Sequence, residues 1–169
     1  MESCEVCGFV WASVRAEEIA SRTQLGASTI GRDLRVNPDA AVQRPSPERW
    51  SMLEYGAHVR DVILHLRERF VIGLVEDEPT FKPLYRDERV ALGLYAHDDV
   101  EHVARDLEMT SALFARTFAA ISPEQLAREC RYTYPVAATR TLLWMGQQLV
   151  HEVEHHLADV GENLTLLGA

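Results

Sequence analysis

Residues 139–163 read TRTLLWMGQQLVHEVEHHLADVGEN, and this stretch decides the fold class. Leu142, Leu143, Met145, Leu149, Val153 and Leu157 recur at steps of three and four, the period of a helix with one buried face. Three upstream stretches repeat the pattern. From Phe9 to Arg35 the apolar positions are Val10, Val14, Ile19, Leu25, Ile30 and Leu34. Gly26 and Gly31 interrupt that stripe, where they weaken the helix or let a neighbour come close. Asn37-Pro38 ends it. A second helix begins at Ser51, which with Glu54 forms a capping box, and runs to about Leu74 through Leu53, Ala57, Ile63, Leu64, Phe70 and Val71. A third spans about Asp98 to Ala120, with Val100, Val103, Leu107, Leu113, Phe114 and Phe118 facing inward.

Four long helices joined by long connections predict an all-α four-helix bundle. Ser122-Pro123-Glu124-Gln125 starts a short extra helix, with serine as cap and proline in the first turn. The long connecting loop from Glu76 to Leu92 contains Pro79 and Pro83 and reads as an ordered lid over a site. Residues 39–49 read as a loop and 130–135 as a link. No stretch alternates convincingly as a strand.

The chain of 169 residues, 47% apolar, fits a single domain over 1–169 with its own core, preceded by a short cysteine-containing segment at 1–8. A net charge of −9 argues against a nucleic-acid partner, which would require a basic face. No apolar run is long enough for a membrane span, so no membrane partner is expected. Met1-Glu2-Ser3-Cys4-Glu5 lacks the basic start of a secretion signal, which gives a cytoplasmic expectation.

Among seven histidines, His151 and His155 stand one helical turn apart and share a face. His58 lies among apolar residues of the second helix. A lone buried histidine is ordinarily a satisfied core residue. Three on two long helices of a small bundle form a candidate divalent-metal site: His58, His151 and His155. Three protein ligands leave a position open for water or substrate, the catalytic arrangement for zinc. Neutral imidazoles also suit nickel, iron or cobalt. Glu54, Asp61 and Asp159 stand three or four residues from a ligand, where each could accept the other ring N–H. His156, about 100° around from His155, should not bind the same ion. His151-Glu152-x-x-His155 also matches the zinc-peptidase helix, with Glu152 as general base. Too little chain follows His155 to close that site from the far side. Arg60 and Arg140 are candidates to hold substrate carboxylates.

Cys4-Glu5-Val6-Cys7-Gly8 reads as half of a zinc knuckle, with Gly8 permitting the tight turn. Cys4 and Cys7 are therefore candidate ligands of a second metal site. Cys130 is the only other cysteine, and His97, His102 or His156 could supply a fourth ligand. A redox pair and two free thiols are the alternatives.

Residues 50–62, Trp-Ser-Met-Leu-Glu-Tyr-Gly-Ala-His-Val-Arg-Asp-Val, and the run His151-x-x-x-His155-His156-x-x-Asp159-Val160 resemble the second and last helices of the DinB-like superfamily, which includes mycothiol-dependent maleylpyruvate isomerase-like metalloproteins. The resemblance covers the chain from Trp11 to Gly161. It implies an up-down-down-up bundle with zinc or nickel on three histidines, carried here onto His58, His151 and His155. It further implies a small-molecule substrate, a homodimer, and S-transfer or isomerisation using a low-molecular-weight thiol such as mycothiol or bacillithiol. Metal coordination lowers a thiol's pKa, and the thiolate attacks an electrophile. A non-enzymatic metal- or small-molecule-binding stress protein is the alternative, and a metallopeptidase a further one.

Overall fold

The computed structural model describes residues 2–134 and 136–169. Met1 and Pro135, the ends of two stretches read above, lie outside them. In chain order the elements are α1 (Ala16–Val36), α2 (Pro38–Ala41), α3 (Met52–Val75), β1 (Thr80–Phe81), α4 (Arg86–Ala91), α5 (Val100–Phe118), α6 (Pro123–Leu126), β2 (Glu129–Tyr132), β3 (Ala138–Thr141) and α7 (Leu142–Leu167). The four long helices form the bundle.

Their directions follow from which residues meet. A Cβ on Gly146 would contact both Ile19 and Phe118, and one on Gly26 would overlap Val153. Helices α1 and α7 therefore run parallel. The Gly146 and Gly31 contacts pair the start of α1 with the end of α5, and the end of α1 with the start of α5, so these two are antiparallel. Gly56 meets Val103 while Phe70 meets Phe114 and Phe118, which makes α3 and α5 parallel. Gly73 meets Leu142 and His58 meets His156, so α3 and α7 are antiparallel. The order is up-down-down-up. Its two diagonal crossings, α1 to α3 and α5 to α7, require the long connections seen in the sequence.

Local chemistry sets the helix ends. The Ser51 hydroxyl accepts from the Glu54 N–H at 3.1 Å, and the Glu54 carboxylate accepts from the Ser51 N–H at 2.8 Å, the expected capping box. The Asn37 side chain accepts from the Ala40 N–H and starts α2 at Pro38. The Ser122 hydroxyl caps α6. The first long helix begins at Ala16 rather than near Phe9. Residues 3–10 instead fold back on themselves, with Ser3 paired to Val10 and Gly8 in the left-handed region at φ 73°. A single 3-10 turn, Trp11–Ser13, leads into α1.

The core is contiguous through all four helices and includes Ile19, Ile30, Leu53, Phe70, Leu107 and Leu149. Leu25, expected inside, is 68% exposed. Gly26, not Leu25, marks the packed face of α1, and a residue one position earlier points about 100° away. Leu64 and Val71 are likewise exposed on α3.

A small sheet stands where links were expected. Strand β2 pairs parallel with β1 and antiparallel with β3, in register Cys130 opposite Arg140. Within β2, Cys130 and Tyr132 are buried while Glu129 and Arg131 are exposed, an alternation too short to stand out. Strand β3 runs directly into α7, whose first turn is capped by the Thr141 hydroxyl.

Candidate metal centres

Residues 151–156 contain two ligand pairs, not one. His151 and His155 occupy one stripe of α7; Glu152 and His156 occupy the next, about 100° around. The two pairs meet different partners.

Glu152 and His156 face His58 of α3. One Glu152 carboxylate oxygen, Oε2, lies 3.7 Å from Nε2 of His58 and 3.7 Å from Nε2 of His156. The two imidazoles meet edge to face with centroids 4.9 Å apart. Nitrogen and oxygen ligands on tetrahedral zinc stand about 3.3 Å apart, so a small inward movement would close the set on an ion. His58 is 2% exposed, and neither of its ring nitrogens has a hydrogen-bond partner among the described residues. A buried polar atom is costly in that state, and coordination would relieve it. Nδ1 of His156 is 2.9 Å from Oδ2 of Asp159, which leaves Nε2 facing Glu152. Trp50 packs on His58, and Tyr55 stacks on His156.

The electrostatics suit a cation. Burial opposes ionisation of Glu152, but the facing imidazoles of His156 and His58 outweigh it and hold the carboxyl well below its ordinary range. Burial pulls His58 down, which favours the neutral ligand form. For His156, burial is outweighed by Asp159 and Glu152, and the net direction is upward.

His151 and His155 face the N-terminal arm. Their ligand atoms and the sulfurs of Cys4 and Cys7 all lie within 4.8 Å of one another. The arm turns tightly there: the Cys4 N–H donates to the Phe9 carbonyl at 2.8 Å and the Gly8 N–H to the Cys4 carbonyl at 2.9 Å. Burial raises the Cys4 thiol, but backbone N–H groups of Cys7 and Val6 act against it, and the net direction is downward.

The structure thus divides the residues expected at one site. His58 does not share a ligand cluster with His151 and His155; Glu152 and His156 take those places. Oε2 of Glu152 faces the other centre, while its Oε1 accepts from the Gln148 amide and lies 4.0 Å from Nδ1 of His151. Glu54 does not support His58, because it caps α3 and pairs with Arg44. Asp61 pairs with Arg60 and Arg89 and accepts from Tyr95. Asp159 does stand near His155, with Oδ2 3.8 Å from its Nε2, but its hydrogen bond, at 2.9 Å, is with Nδ1 of His156. Arg60 is held by Asp61 and Asp98, and Arg140 by Glu2 and the Trp144 ring. His97 and His102 are exposed, and Cys130 is buried in the sheet with its thiol on the Arg140 carbonyl.

A cavity of about 240 Å³ opens beside His58 and Glu152. The expected lid region forms one wall, from Pro83 to Glu88; α3 and the sheet form the others. His58, Val62, His65 and Arg69 line it at helical spacing along one face of α3. Arg69 is 5% exposed and has no carboxylate partner among the described residues. It lies over the rings of Phe81 and Tyr132 and donates to the Lys82 carbonyl. His65 Nε2 is buried without a partner, and burial with the nearby Arg69 charge holds its pKa down.

A family profile described as the DinB superfamily matches residues 32–160. A comparison with curated proteins finds no match. Among solved structures, YfiT from Bacillus subtilis, described as a probable metal-dependent hydrolase with an unusual four-helix bundle topology, is similar with a TM-score of 0.80 at 15% identity, over 99% of this chain and 92% of that one. The mycothiol-dependent maleylpyruvate isomerase is similar with a TM-score of 0.70 at 19% identity, over 90% of this chain. This chain spans only 63% of the isomerase's length.

Proposed function

The chain belongs to the DinB superfamily, and from that premise we propose that it is a metal-dependent enzyme whose centre is His58, Glu152 and His156. The observation that carries this reading is the unpartnered His58 imidazole, facing Glu152 and His156 beside a cavity. Two histidines and one glutamate are a catalytic zinc set, which keeps a coordination position open. A divalent ion there, zinc or nickel, supplies Lewis acidity and lowers the pKa of a bound nucleophile.

The nucleophile we assign is the sulfur of a low-molecular-weight thiol such as mycothiol or bacillithiol. Val62, Leu66 and Tyr132 give the cavity apolar walls that suit a thiol's carbon stem. His65, kept neutral and with Nε2 free, is placed to accept the thiol proton. Arg69, buried without a counter-carboxylate, is placed to hold a carboxylate on the small electrophilic substrate. The sequence candidates for that task, Arg60 and Arg140, already have their own carboxylates. The same centre with water as nucleophile would be a hydrolase, a reading favoured by the description of YfiT.

The test is S-transfer to small carboxylate-bearing electrophiles by the metal-loaded protein, with mycothiol, bacillithiol, glutathione and cysteine supplied separately. Thiol-dependent turnover should be lost in His58→Ala and Glu152→Ala. It should show a raised KM with retained metal in Arg69→Met. Hydrolysis without any thiol would favour the water reading. Full metal retention by Glu152→Ala and His156→Ala would remove the centre itself.

A further inference from the structure

We propose that Cys4, Cys7, His151 and His155 form a second, structural zinc site that fastens the N-terminal arm to α7. Nothing in the first centre's chemistry uses these four residues, and the site does not rest on that reading.

Four independent features converge there. The first is donor type. Two cysteines and two histidines make up a closed structural zinc set, and thiolates select zinc over the harder divalent cations. Two thiolates also neutralise the ion's charge, so burial of the complete site carries little net charge.

The second is local backbone. Cys-x-x-Cys-Gly turns so that Gly8 takes φ 73°, a conformation side chains resist. The Gly8 N–H closes the turn on the Cys4 carbonyl, and the Ser3–Val10 bridge zips its stem.

The third is spacing. His151 and His155 are one turn apart on a long, regular helix, and all four ligand atoms gather within 4.8 Å. Sulfurs on tetrahedral zinc stand about 3.8 Å apart and nitrogens about 3.3 Å, so the cluster needs only a slight contraction. The fourth is polar satisfaction. Both ring nitrogens of His151 and Nδ1 of His155 are buried without hydrogen-bond partners among the described residues. The His151 ring is packed against Phe9 and Trp11, with centroids 5.2 and 4.9 Å away. A disulfide between Cys4 and Cys7 would leave those nitrogens unpartnered; a shared ion engages all four side chains.

The site has a consequence for the first centre. Trp11, on the fastened arm, donates its indole N–H to Gln148 at 2.8 Å, and the Gln148 amide donates to Glu152 Oε1 at 2.7 Å. Zinc on the arm therefore positions the Glu152 carboxylate from behind. It acts on Glu152 through Gln148 and not on substrate.

Metal content of the full-length protein loaded with zinc, together with absorption spectra of its cobalt(II) form, tests this. Wild type should carry two ions per chain and show a thiolate-to-cobalt charge-transfer band in the near ultraviolet. The Cys4→Ser/Cys7→Ser variant should fall to one ion and lose the band. The His58→Ala/His156→Ala variant should also fall to one ion and keep it. His151→Cys, which preserves a zinc donor set, should retain two ions. Wild-type protein whose cobalt form lacks a thiolate band overturns the proposal without reference to any variant. So does full-rate alkylation of Cys4 and Cys7 in the zinc-loaded protein. A single ion with the band intact, unaffected by His58→Ala/His156→Ala, would instead support this site and remove the first.

Discussion

Replacement of Asp159 tests the first centre without touching a ligand. Its Oδ2 lies 2.9 Å from Nδ1 of His156, so it fixes which ring nitrogen carries the proton and leaves Nε2 for the ion. Loss of such a supporting carboxylate weakens metal binding about 10- to 100-fold, or about 1.4–2.7 kcal/mol. Where Asp159→Asn falls in that range follows from its surroundings. The His156 side is buried, but the Asp159 side chain is 22% exposed and its charge is partly screened by solvent. The amide oxygen of asparagine can still accept from Nδ1. Asp159→Asn should therefore cost about tenfold, and Asp159→Ala, which removes the acceptor, nearer a hundredfold.

The assay is competition between a chromophoric chelator and protein carrying Cys4→Ser and Cys7→Ser, so that one centre titrates. A pH near 8 keeps proton competition for His156 small. Arg49 complicates the site, because it lies 3.6 Å from Asp159 and 2.9 Å from Glu162. Glu162→Gln is the control: it disturbs Arg49 without reaching His156, and Glu162 is 60% exposed. It should leave zinc affinity unchanged. Affinities of both Asp159 variants within about threefold of the parent would refute the reasoning, since the expected range begins at tenfold. An equal loss in Glu162→Gln would assign the effect to Arg49 instead.

Gly26→Ala gains about 1 kcal/mol of helix propensity but drives a methyl into Val153, an overpacking that costs about 1–3 kcal/mol. A net fall in Tm of about 2–4 °C is expected by thermal unfolding, with the fall abolished on a Val153→Ala background; equal effects on both backgrounds would contradict the packing. Burial raises the Cys130 thiol to about 11 from 9.0, so at pH 8 its thiolate is about a hundredfold scarcer than that of an exposed cysteine. Mass spectrometry should find Cys130 alkylated only after denaturation, and rapid native labelling would show the sheet pairing to be wrong. Burial also pulls His58, His151 and His155 below the ordinary value of 6.5, so the folded metal-free chain refuses protons that the unfolded chain accepts. Stability present above about 6.5 is then lost as pH falls toward the folded values, opposed only in part by His156, whose pKa is raised. Metal-free protein should melt progressively lower from pH 7 to pH 5; a flat profile would show those imidazoles to be solvated.

Much of the bundle was legible because its information is local. The Ser51–Glu54 and Ser122–Gln125 boxes, the Asn37-Pro38 stop and the three- and four-residue periods each act within one turn of chain. The glycines also carried a readable signal, since Gly26 lies where α7 presses on α1. What stayed hidden depends on partners remote in sequence. The sheet joins Thr80 to Arg131, and neither β1 nor β3 has enough alternating residues to declare itself alone. Phe9 to Arg15 continues an apolar pattern, but the turn at Gly8 and the extended Arg15 hold it outside α1.

The candidate ligands show the same division. Helical spacing states which residues share a face; it does not state which face meets which neighbour. In residues 151–156 two registers compete, and the histidine pair draws attention because both members are common metal ligands. The seam of α7 decides between them. Met145, Leu149, Val153 and Val160 are buried at steps of four, four and seven residues, and His156 occupies the position between Val153 and Val160 that completes the seam. A histidine on the seam faces the bundle interior, where the buried His58 of α3 meets it with ring centroids 4.9 Å apart. Leu157, read as part of the stripe, lies one residue off it and is only partly buried. Tracing the seam through Val160 and Asn163 would have placed His156 inward and rotated His151 and His155 outward. Outward-facing histidines on a helix flank need ligands from outside the bundle. In this chain the arm is what meets them: Cys4 and Cys7 are turned onto that flank, while Cys130 is buried in the sheet.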